Sequence, residues 1–409
     1  MIPLDELRGV ERATVLKAGR LAGSLQRRPN TVAFVYDDEY RLSGYPAVAT
    51  TLPKRDTEFV THTAGALPAF FSGLLPEGRR LTALRSAVKT SADDDFTLLL
   101  AVGGDAVGDV QVVPAGVDPV ETDTLVTVSD WSEVRFAELL RRSLGEEDEV
   151  DRVALPGVQD KVSARMINVP VARANSRFLL KLDPPEFPHL VANEAFFLEA
   201  ARRSGLKTAD ADVVHDSEGV PGLLVTRFDR ATSGQGVSRL AQEDGCQVLG
   251  RYPADRYRLT TEDVISSLAG VCQAPQVAAI ELLRQVAFAY LTCNGDAHAK
   301  NFSVFMPGRE WRPTPAYDVP SSYVYGDHTM ALPLNGKRKE DIGRADFVAL
   351  GEATGVRRRA VERALDELCD SVDGWIGDLG SLPFDGGVVG KLRRAIEYRR
   401  ERLETGHDG

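Results

Sequence analysis

The chain has 409 residues and a formal net charge of −11, so it is long enough for more than one packed subdomain and lacks the excess of Lys and Arg that a broad nucleic-acid surface requires. No segment approaches the roughly 18 consecutive apolar residues of a membrane span. The four cysteines form no CxxC pair and have no histidine at ligand spacing, which argues against a zinc site or a disulfide framework. These features predict a cytoplasmic protein without a membrane contact, whose contact with DNA, if any, is local or made through a partner.

The N-terminal part, residues 1–115, is predicted to form strands and turns around a helical middle. TVAFVYDDEY is strand-like, and PEGRRLTALRSAVK is typical of a capped, basic helix. The glycines of GGDAVGDVQVVP indicate a turn that enters a strand, because neither GxGxxG nor a GK[ST] ending is present. SDWSEVRFAELLRRSLG has helical spacing and is followed by an acidic run at 146–149, so residues 116–150 are predicted as a helix and an acidic linker.

Residues 151–230 are predicted to form a small lobe of strands around one helix. The apolar runs VSARMINV, RFLLKL, ADVVH and GLLVTRF have strand length, and HLVANEAFFLEAARRSG has helical spacing and a glycine stop. Residues 231–409 are predicted to form a mainly helical lobe, interrupted by the strand-like pieces NFSVFM and TPAYDV. The fold class is therefore α+β.

The strongest chemical signal is the segment from Asn294 to Asn301, NGDAHAKN, which follows an apolar helix and precedes an apolar strand. Phosphoryl transfer needs a carboxylate that orients or deprotonates the attacking hydroxyl, and oxygen ligands that hold magnesium against the phosphates. Asp296 and Asn301 supply both from one loop, and Asp318 follows at the end of the next predicted strand pair. This order predicts a magnesium site formed by Asn301 and Asp318, with Asp296 as the base.

Three further residues have predicted roles near the phosphates. Lys300 is a cation that could neutralise the transferred phosphoryl group, and His298 is interpreted as a loop residue beside it, since no second metal ligand lies at usable spacing. Lys181 ends an apolar strand, where it is either an edge residue or a phosphate ligand, and we favour the ligand. Glu194 on the following helix either pairs with Lys181 or is an ordinary exposed glutamate.

A glycine-containing loop precedes the first strand of the predicted small lobe. Glycine permits close approach of the backbone to a phosphate, and the loop also offers amide groups and a lysine. The loop consists of Pro156, Gly157, Val158, Gln159, Asp160 and Lys161.

Taken together, these segments resemble the HipA-like serine/threonine kinases, the toxins of bacterial toxin–antitoxin pairs. The resemblance is collinear over most of the chain. Its motifs are FFSGLLPEGRR, GGDAVGDVQVVP, PGVQDK, FLLKL, NE at 193–194, LLVTRFDR, RLAQEDGCQVLG, NGDAHAKNFSVF and PAYDVPSS. It implies a bilobal protein-kinase-like fold with an extra N-terminal subdomain, ATP and Mg²⁺ as cofactors, and transfer to a protein serine or threonine. It also implies a small helix-turn-helix antitoxin of HipB type as partner, and in some members an aminoacyl-tRNA synthetase as substrate.

The resemblance also assigns site residues. It implies Asp296 as catalytic base, Asn301 and Asp318 as magnesium ligands, Lys181 as a phosphate contact and 156–161 as the phosphate loop. The residues implied to contact the nucleotide through the hinge or the site wall are Thr226, Arg227, Phe228, His298, Lys300 and Tyr317.

One position departs from the family pattern. Members that silence themselves by autophosphorylation do so at a serine three positions before the loop glycine, and this chain has Ala154 there. That switch is expected to be absent, although Ser163 could substitute, and restraint by a partner is the better hypothesis.

Two other functions stay open. Small-molecule kinases of the aminoglycoside or choline type share the Asp-x-x-x-x-Asn loop, but their loop usually has a histidine before the aspartate, where this chain has Asn294-Gly295. A catalytically silent ATP-binding co-repressor is the other alternative. All expected catalytic groups are present in the sequence, which gives this second alternative no support.

Overall fold

The N-terminal region contains an antiparallel sheet in which the first four strands of the chain lie in reverse order and the fifth lies beside the first. The computed structural model describes residues 4–29, 31–61, 66–88, 90, 94–118, 126–128, 130–143, 167–173, 176–184, 186–233, 236–339 and 341–404. The strands are β1 (Arg12–Lys17), β2 (Arg20–Arg28), β3 (Thr31–Tyr36), β4 (Phe59–Val60) and β5 (Val110–Pro114), and the helices here are α1 (Asp38–Leu42), α2 (Ala69–Ser72), α3 (Gly78–Val88) and α4 (Asp95–Val102). An apolar core including Phe34, Phe71 and Phe96 fills the space between sheet and helices.

A second sheet has the order β6-β7-β8-β10-β9. Its strands are β6 (Val126–Thr127), β7 (Ile167–Arg173), β8 (Ser176–Leu182), β9 (Ala211–His215) and β10 (Pro221–Thr226), with the helices α5 (Phe136–Ser143) and α6 (Leu190–Arg203). Because β6 pairs with β7 in parallel, part of the segment predicted as helix and linker belongs to this sheet. The four-part division of the chain stays a prediction.

The remaining chain is mainly helical. Its helices are α7 (Gly245–Val248), α8 (Thr261–Val271), α9 (Pro275–Leu291), α10 (Arg344–Ala353), α11 (Arg358–Ser371) and α12 (Gly386–Glu404). Its short strands are β11 (Arg230–Ser233), β12 (Gly236–Arg239), β13 (Gln242–Asp244), β14 (Ser303–Phe305) and β15 (Arg312–Pro313). Helix α9 is buried along nearly its whole second half and packs against α8, α10 and α11, so the loop that follows it starts from a rigid, fully packed element.

Two predicted strands are wrong in part. TVAFVYDDEY is a strand only to Tyr36, because the Asp37 side chain accepts a hydrogen bond from the Tyr40 amide and caps α1. TPAYDV is not a strand: it makes an isolated bridge at Ala316, and Asp318 has the left-handed backbone angle φ = 53°. Since a ladder needs extended backbone, this turn ends any pairing before Asp318.

None of the helices in the described part of the chain has the length and the apolar composition that a membrane crossing would demand.

Candidate active site

The loop after α9 is held in one conformation by its own polar groups. Cys293 has a left-handed backbone (φ = 58°), and the Asn294 side-chain oxygen accepts a hydrogen bond from the Asp296 amide at 3.0 Å. A side chain at Gly295 would not fit, because its Cβ would lie 2.6 Å from the Thr329 carbonyl oxygen. The Asn-Gly pair before the aspartate is therefore needed to place Asp296.

Asp296 is buried, with 2% of its surface exposed. Its Oδ1 accepts a hydrogen bond of 2.6 Å from the hydroxyl of Tyr257, and its backbone carbonyl accepts one from the His298 amide at 2.8 Å. Sequence reasoning missed Tyr257, which lies in the turn before α8. The aspartate is thus a buried carboxylate with a defined orientation.

Asn301 and Asp318 lie side by side, as the sequence order predicts. The Asn301 side-chain nitrogen donates to Asp318 Oδ2 at 3.3 Å, while its oxygen accepts from the His298 amide at 3.0 Å. The Asn294 side chain donates to the Asp318 carbonyl oxygen at 3.2 Å. The loop therefore holds both the side chain and the backbone carbonyl of Asp318. Asp296, Asn301 and Asp318 belong to one polar network.

The buried Lys181 contacts two carboxylates, that of the buried Glu194 and that of the partly exposed Asp318. Its ammonium group lies 2.6 Å from Glu194 and also contacts Asp318. Burial alone would lower the pKa of Lys181, but the two carboxylates outweigh burial and raise it. Burial raises the pKa of Glu194, against the effect of Lys181. The predicted pairing of Lys181 with Glu194 is present in the structure.

The surroundings of Asp318 fit a divalent cation by their charge and their donor atoms. Two carboxylates share one ammonium, which leaves one uncompensated negative charge when all three are ionised, and Asp318 is partly exposed. Within the described ranges, no cluster of three or more His, Cys, Asp or Glu side chains could hold a metal on its own. A cation on Asp318 and Asn301 would complete its shell with water and phosphate oxygens, which is how Mg²⁺ is commonly bound. Asn301 would offer the ion its amide oxygen, which here accepts a hydrogen bond from the His298 amide.

His298 is buried behind the loop. Its ring packs edge-on against Tyr257 with 5.0 Å between centroids, and burial lowers the pKa of its imidazole to about 4. His298 is therefore neutral at pH 7. His298 lies in the loop between Asp296 and Asn301, as predicted. Its contact with the nucleotide stays a prediction.

The buried His298 makes a testable prediction for stability. The pKa of His298 is about 4 in the folded protein, against an ordinary value of 6.5. As the pH falls, the unfolded chain therefore binds a proton first. The contribution of His298 to the free energy of unfolding is complete above pH 6.5 and is lost as the pH falls toward 4. We expect wild type to lose about 2 kcal/mol more than His298→Gln between pH 7 and pH 5. Urea unfolding at the two pH values measures this difference. His215→Gln, which replaces an exposed histidine, is the control for the chemical change itself. A loss in His298→Gln as large as that in wild type would contradict the prediction.

Lys300 points away from Asp318 toward the N-terminal region. Its ammonium donates to Asp244 at 2.8 Å and to the Gly73 carbonyl oxygen at 3.2 Å, and Glu77 lies at 3.6 Å. Burial alone would lower the pKa of Lys300, but Asp244 and Glu77 outweigh it and raise it. Lys300 thus joins the loop to the residue that follows α2, and its action on the phosphoryl group stays a prediction.

Two of the aromatic residues predicted to line the nucleotide site lie together. The ring of Phe228 is 5.7 Å from that of Tyr317 and 5.9 Å from that of Phe305. The Tyr317 hydroxyl donates to the Lys300 carbonyl oxygen at 2.6 Å, and burial raises its pKa well above the ordinary value. Tyr317 therefore supports the loop directly. Thr226 lies at the end of β10, two positions before Phe228, and its amide donates to the Asp210 carbonyl oxygen at 2.8 Å.

The side chain of Arg227 belongs to a buried ion cluster that joins the hinge to the N-terminal region. Its guanidinium lies 2.9 Å from Asp229 and 3.1 Å from Asp105, and Arg230 lies 2.7 Å from Asp229 and 2.8 Å from Asp105. Arg239 also bonds Asp105, at 3.0 Å. We call these five residues the hinge cluster. The guanidinium of Arg227 is paired with Asp105 and Asp229 in this structure. Its contact with the nucleotide stays a prediction.

Asp229→Ala is expected to destabilise the protein by about 3–5 kcal/mol, because Arg227, Arg230 and Arg239 would then have only the carboxylate of Asp105 within the hinge cluster. Burial by itself raises the pKa of Asp229, but the two arginines hold it at about 2, so its contribution is complete above pH 3.8 and is lost as the pH falls toward 2. Urea unfolding at pH 7 tests the size of the loss. The control Glu367→Ala breaks exposed ion pairs on α11 and should cost less than about 1 kcal/mol; similar losses in both variants would refute the prediction.

The predicted phosphate loop, consisting of Pro156, Gly157, Val158, Gln159, Asp160 and Lys161, lies outside the described residues, as do Ala154 and Ser163. Glu77 and Asp244 reach the loop from distant segments, and sequence reasoning gave them no role. Their signal was the order of the motifs FFSGLLPEGRR and RLAQEDGCQVLG, whose acidic residues meet Lys300.

Comparisons with known proteins match both halves of the chain. A family model described as HipA N-terminal domain matches residues 13–113, and one described as HipA-like C-terminal domain matches residues 153–376. The Sinorhizobium fredii protein Y4mE is 30% identical, covering 93% of this chain and 96% of its own. The serine/threonine-protein kinase toxin HipA of Shewanella oneidensis is 30% identical, over 76% of this chain and 75% of its own.

A solved structure shows the same fold. It is a complex of Shewanella oneidensis HipA, HipB and operator DNA, and one of its chains is similar to this chain with a TM-score of 0.76 and 24% identity, over 96% of this chain and 97% of that chain. The likeness confirms the predicted α+β fold with a mixed N-terminal part and a helical C-terminal lobe.

Proposed function

Because this chain belongs to the HipA family of serine/threonine-protein kinases, we propose that it transfers the γ-phosphate of ATP, with Mg²⁺, to the hydroxyl of a protein serine or threonine. The observation that supports the reaction is the network joining Asp296, Asn301 and Asp318. It supplies a buried carboxylate for the acceptor and oxygen ligands for a cation, which are the two requirements of phosphoryl transfer.

In the proposed reaction, Asp296 accepts the proton of the acceptor hydroxyl while the hydroxyl oxygen attacks the γ-phosphorus and ADP leaves. Asp318 and Asn301 would hold Mg²⁺, which supplies charge neutralisation for the phosphate oxygens when bound. Lys181, oriented by Glu194, would then exchange its contact with Asp318 for one with a phosphate. The buried position of Lys181 and its raised pKa keep it charged for that contact.

The biological setting is proposed from the relatives. HipA of Shewanella oneidensis carries the name kinase toxin, and its solved complex contains HipB and operator DNA. We infer that this chain is likewise the toxin of a pair, restrained by a small helix-turn-helix antitoxin of HipB type. The net charge of −11 suits contact with DNA through such a partner rather than directly. An aminoacyl-tRNA synthetase is the first substrate to test.

Incubation of the purified chain with γ-labelled ATP and Mg²⁺, with and without cell extract, tests the proposal. Label on an extract protein, or on the chain itself, supports a protein kinase and identifies its acceptor. Turnover that requires an amino sugar or choline instead would point to a small-molecule kinase. ATP binding without transfer to any acceptor would point to a silent co-repressor.

A further inference from the structure

We infer that Tyr257 is a positioning residue for the reaction, which orients the carboxylate of Asp296 by donating its hydroxyl proton to Oδ1. The inference rests on the proposed function, because it concerns the residue assigned as the base. The contact is 2.6 Å long, and a hydrogen bond to a charged acceptor is among the stronger ones in proteins. It holds one oxygen of the carboxylate, so the rotation of the group about its Cβ–Cγ bond is restricted.

The main chain and the ring of Tyr257 are held from three directions. Its carbonyl oxygen accepts a hydrogen bond of 3.1 Å from Arg338, and the carbonyl of the preceding Arg256 accepts one of 3.2 Å from the Ala299 amide. The ring packs edge-on against His298. Tyr257 is thus bound to the catalytic loop on one side and, through Arg338, to the segment after Asp318 on the other.

The Tyr257 hydroxyl keeps its proton and can therefore always donate the hydrogen bond to Asp296. Burial, and then the Asp296 carboxylate, raise the pKa of Tyr257 well above the ordinary value, so the phenol keeps its proton at neutral pH. The imidazole beside it is neutral, since its pKa is about 4. The charged groups that act on the imidazole are the carboxylates of Asp296 and Asp318 and the cations of Arg256 and Lys300. Both cations lie near the carboxylate of Glu77.

Arg256 links this arrangement to the N-terminal region. Its guanidinium lies 5.0 Å from the centre of the Tyr257 ring and interacts with the Tyr257 hydroxyl, and its Nε lies 3.9 Å from Glu77. Burial alone would lower the pKa of Arg256, but Glu77 and Tyr257 outweigh it and raise it. Glu77, Arg256, Tyr257 and Asp296 therefore form a continuous series of contacts between the N-terminal region and the catalytic loop.

The test compares Tyr257→Phe with Tyr252→Phe. Both changes remove one hydroxyl from the same segment, but the Tyr252 hydroxyl donates to the Leu67 carbonyl oxygen at 3.1 Å and does not touch the loop. Initial rates of protein labelling give kcat and the KM for ATP, and thermal unfolding reports folding. We expect Tyr257→Phe to lower kcat roughly 10- to 100-fold, the scale of a lost hydrogen bond to a charged group, with the KM for ATP within about twofold of wild type. Tyr252→Phe should retain the wild-type kcat.

A double-mutant cycle separates positioning from general damage. If Tyr257 acts through Asp296, adding Tyr257→Phe to Asp296→Asn should lower the residual rate no further. An unchanged or raised kcat in Tyr257→Phe, or full additivity with Asp296→Asn, would overturn the inference. Failure of the proposed function is distinguishable from this, because wild type itself would then label no protein.

Discussion

Replacing Asp296 with Asn is expected to slow phosphoryl transfer by about 10²- to 10⁴-fold, the usual contribution of a general base. The amide has the size of the carboxylate and can still accept the Tyr257 hydrogen bond, but it cannot take a proton from the acceptor. Because Asp296 touches neither Lys181 nor Asp318 in the hydrogen bonds described above, the affinity for ATP with Mg²⁺ should stay within a few-fold of wild type. Single-turnover labelling measures the transfer step alone.

The matched control is Asp370→Asn, which makes the same chemical change on the exposed surface of α11 and should leave the rate unchanged. A residual rate within about threefold of wild type in Asp296→Asn would mean that another group removes the proton, or that base catalysis contributes little.

Replacing Asp318 with Asn or Ala is expected to remove the Mg²⁺-dependent part of ATP binding, weakening it by more than about 100-fold, since even groups that only support a metal ligand are typically worth 10- to 100-fold. The fold should survive, because Lys181 and Glu194 remain as an ion pair with balanced charge. Titration calorimetry with ATP in the presence of Mg²⁺ measures the loss.

Titration of the same two Asp318 variants without Mg²⁺ is the control, and there they should differ little from wild type. Affinity for the Mg²⁺ complex of ATP that is equal in wild type and both variants would remove Asp318 from the metal site. Weakened binding with and without the ion would indicate instead that Asp318 acts by orienting Lys181.

The sequence predicted the parts of the site that depend on local order. Asp296 and Asn301 lie five positions apart on a loop that begins at the end of a buried helix, so the residues between them suffice to bring them together. For Glu194 the sequence left open whether it pairs with Lys181 or is exposed, and the structure shows the pair. The shape of the turn at Asp318 did not follow, because the run TPAYDV has the composition of a strand, whereas Asp318 has a left-handed backbone whose carbonyl oxygen is bound by Asn294.

Contacts between distant segments were beyond sequence reasoning. Lys300 was assigned to the phosphates because it is a cation beside Asn301, yet Asp244 and Glu77 come from other elements and take its charge. Tyr257 was missed for the same reason: a tyrosine in a turn carries no signal of the carboxylate it meets 39 positions later. Such contacts are set by how the N-terminal sheet and the helical lobe pack, which a single sequence does not specify.

The hinge cluster has a practical consequence for dissecting the gene. Asp105 and the carbonyl oxygens of Gly104, Ala106 and Gly108 accept hydrogen bonds from Arg230 and Arg239, and all four residues are encoded before codon 110. A protein that starts at the second sheet would lack these residues, and Arg230 and Arg239 would lose most of their hydrogen-bond acceptors. Expression of the catalytic half alone should therefore yield insoluble or protease-sensitive material, whereas supplying residues 1–118 as a separate polypeptide in the same cell should recover it.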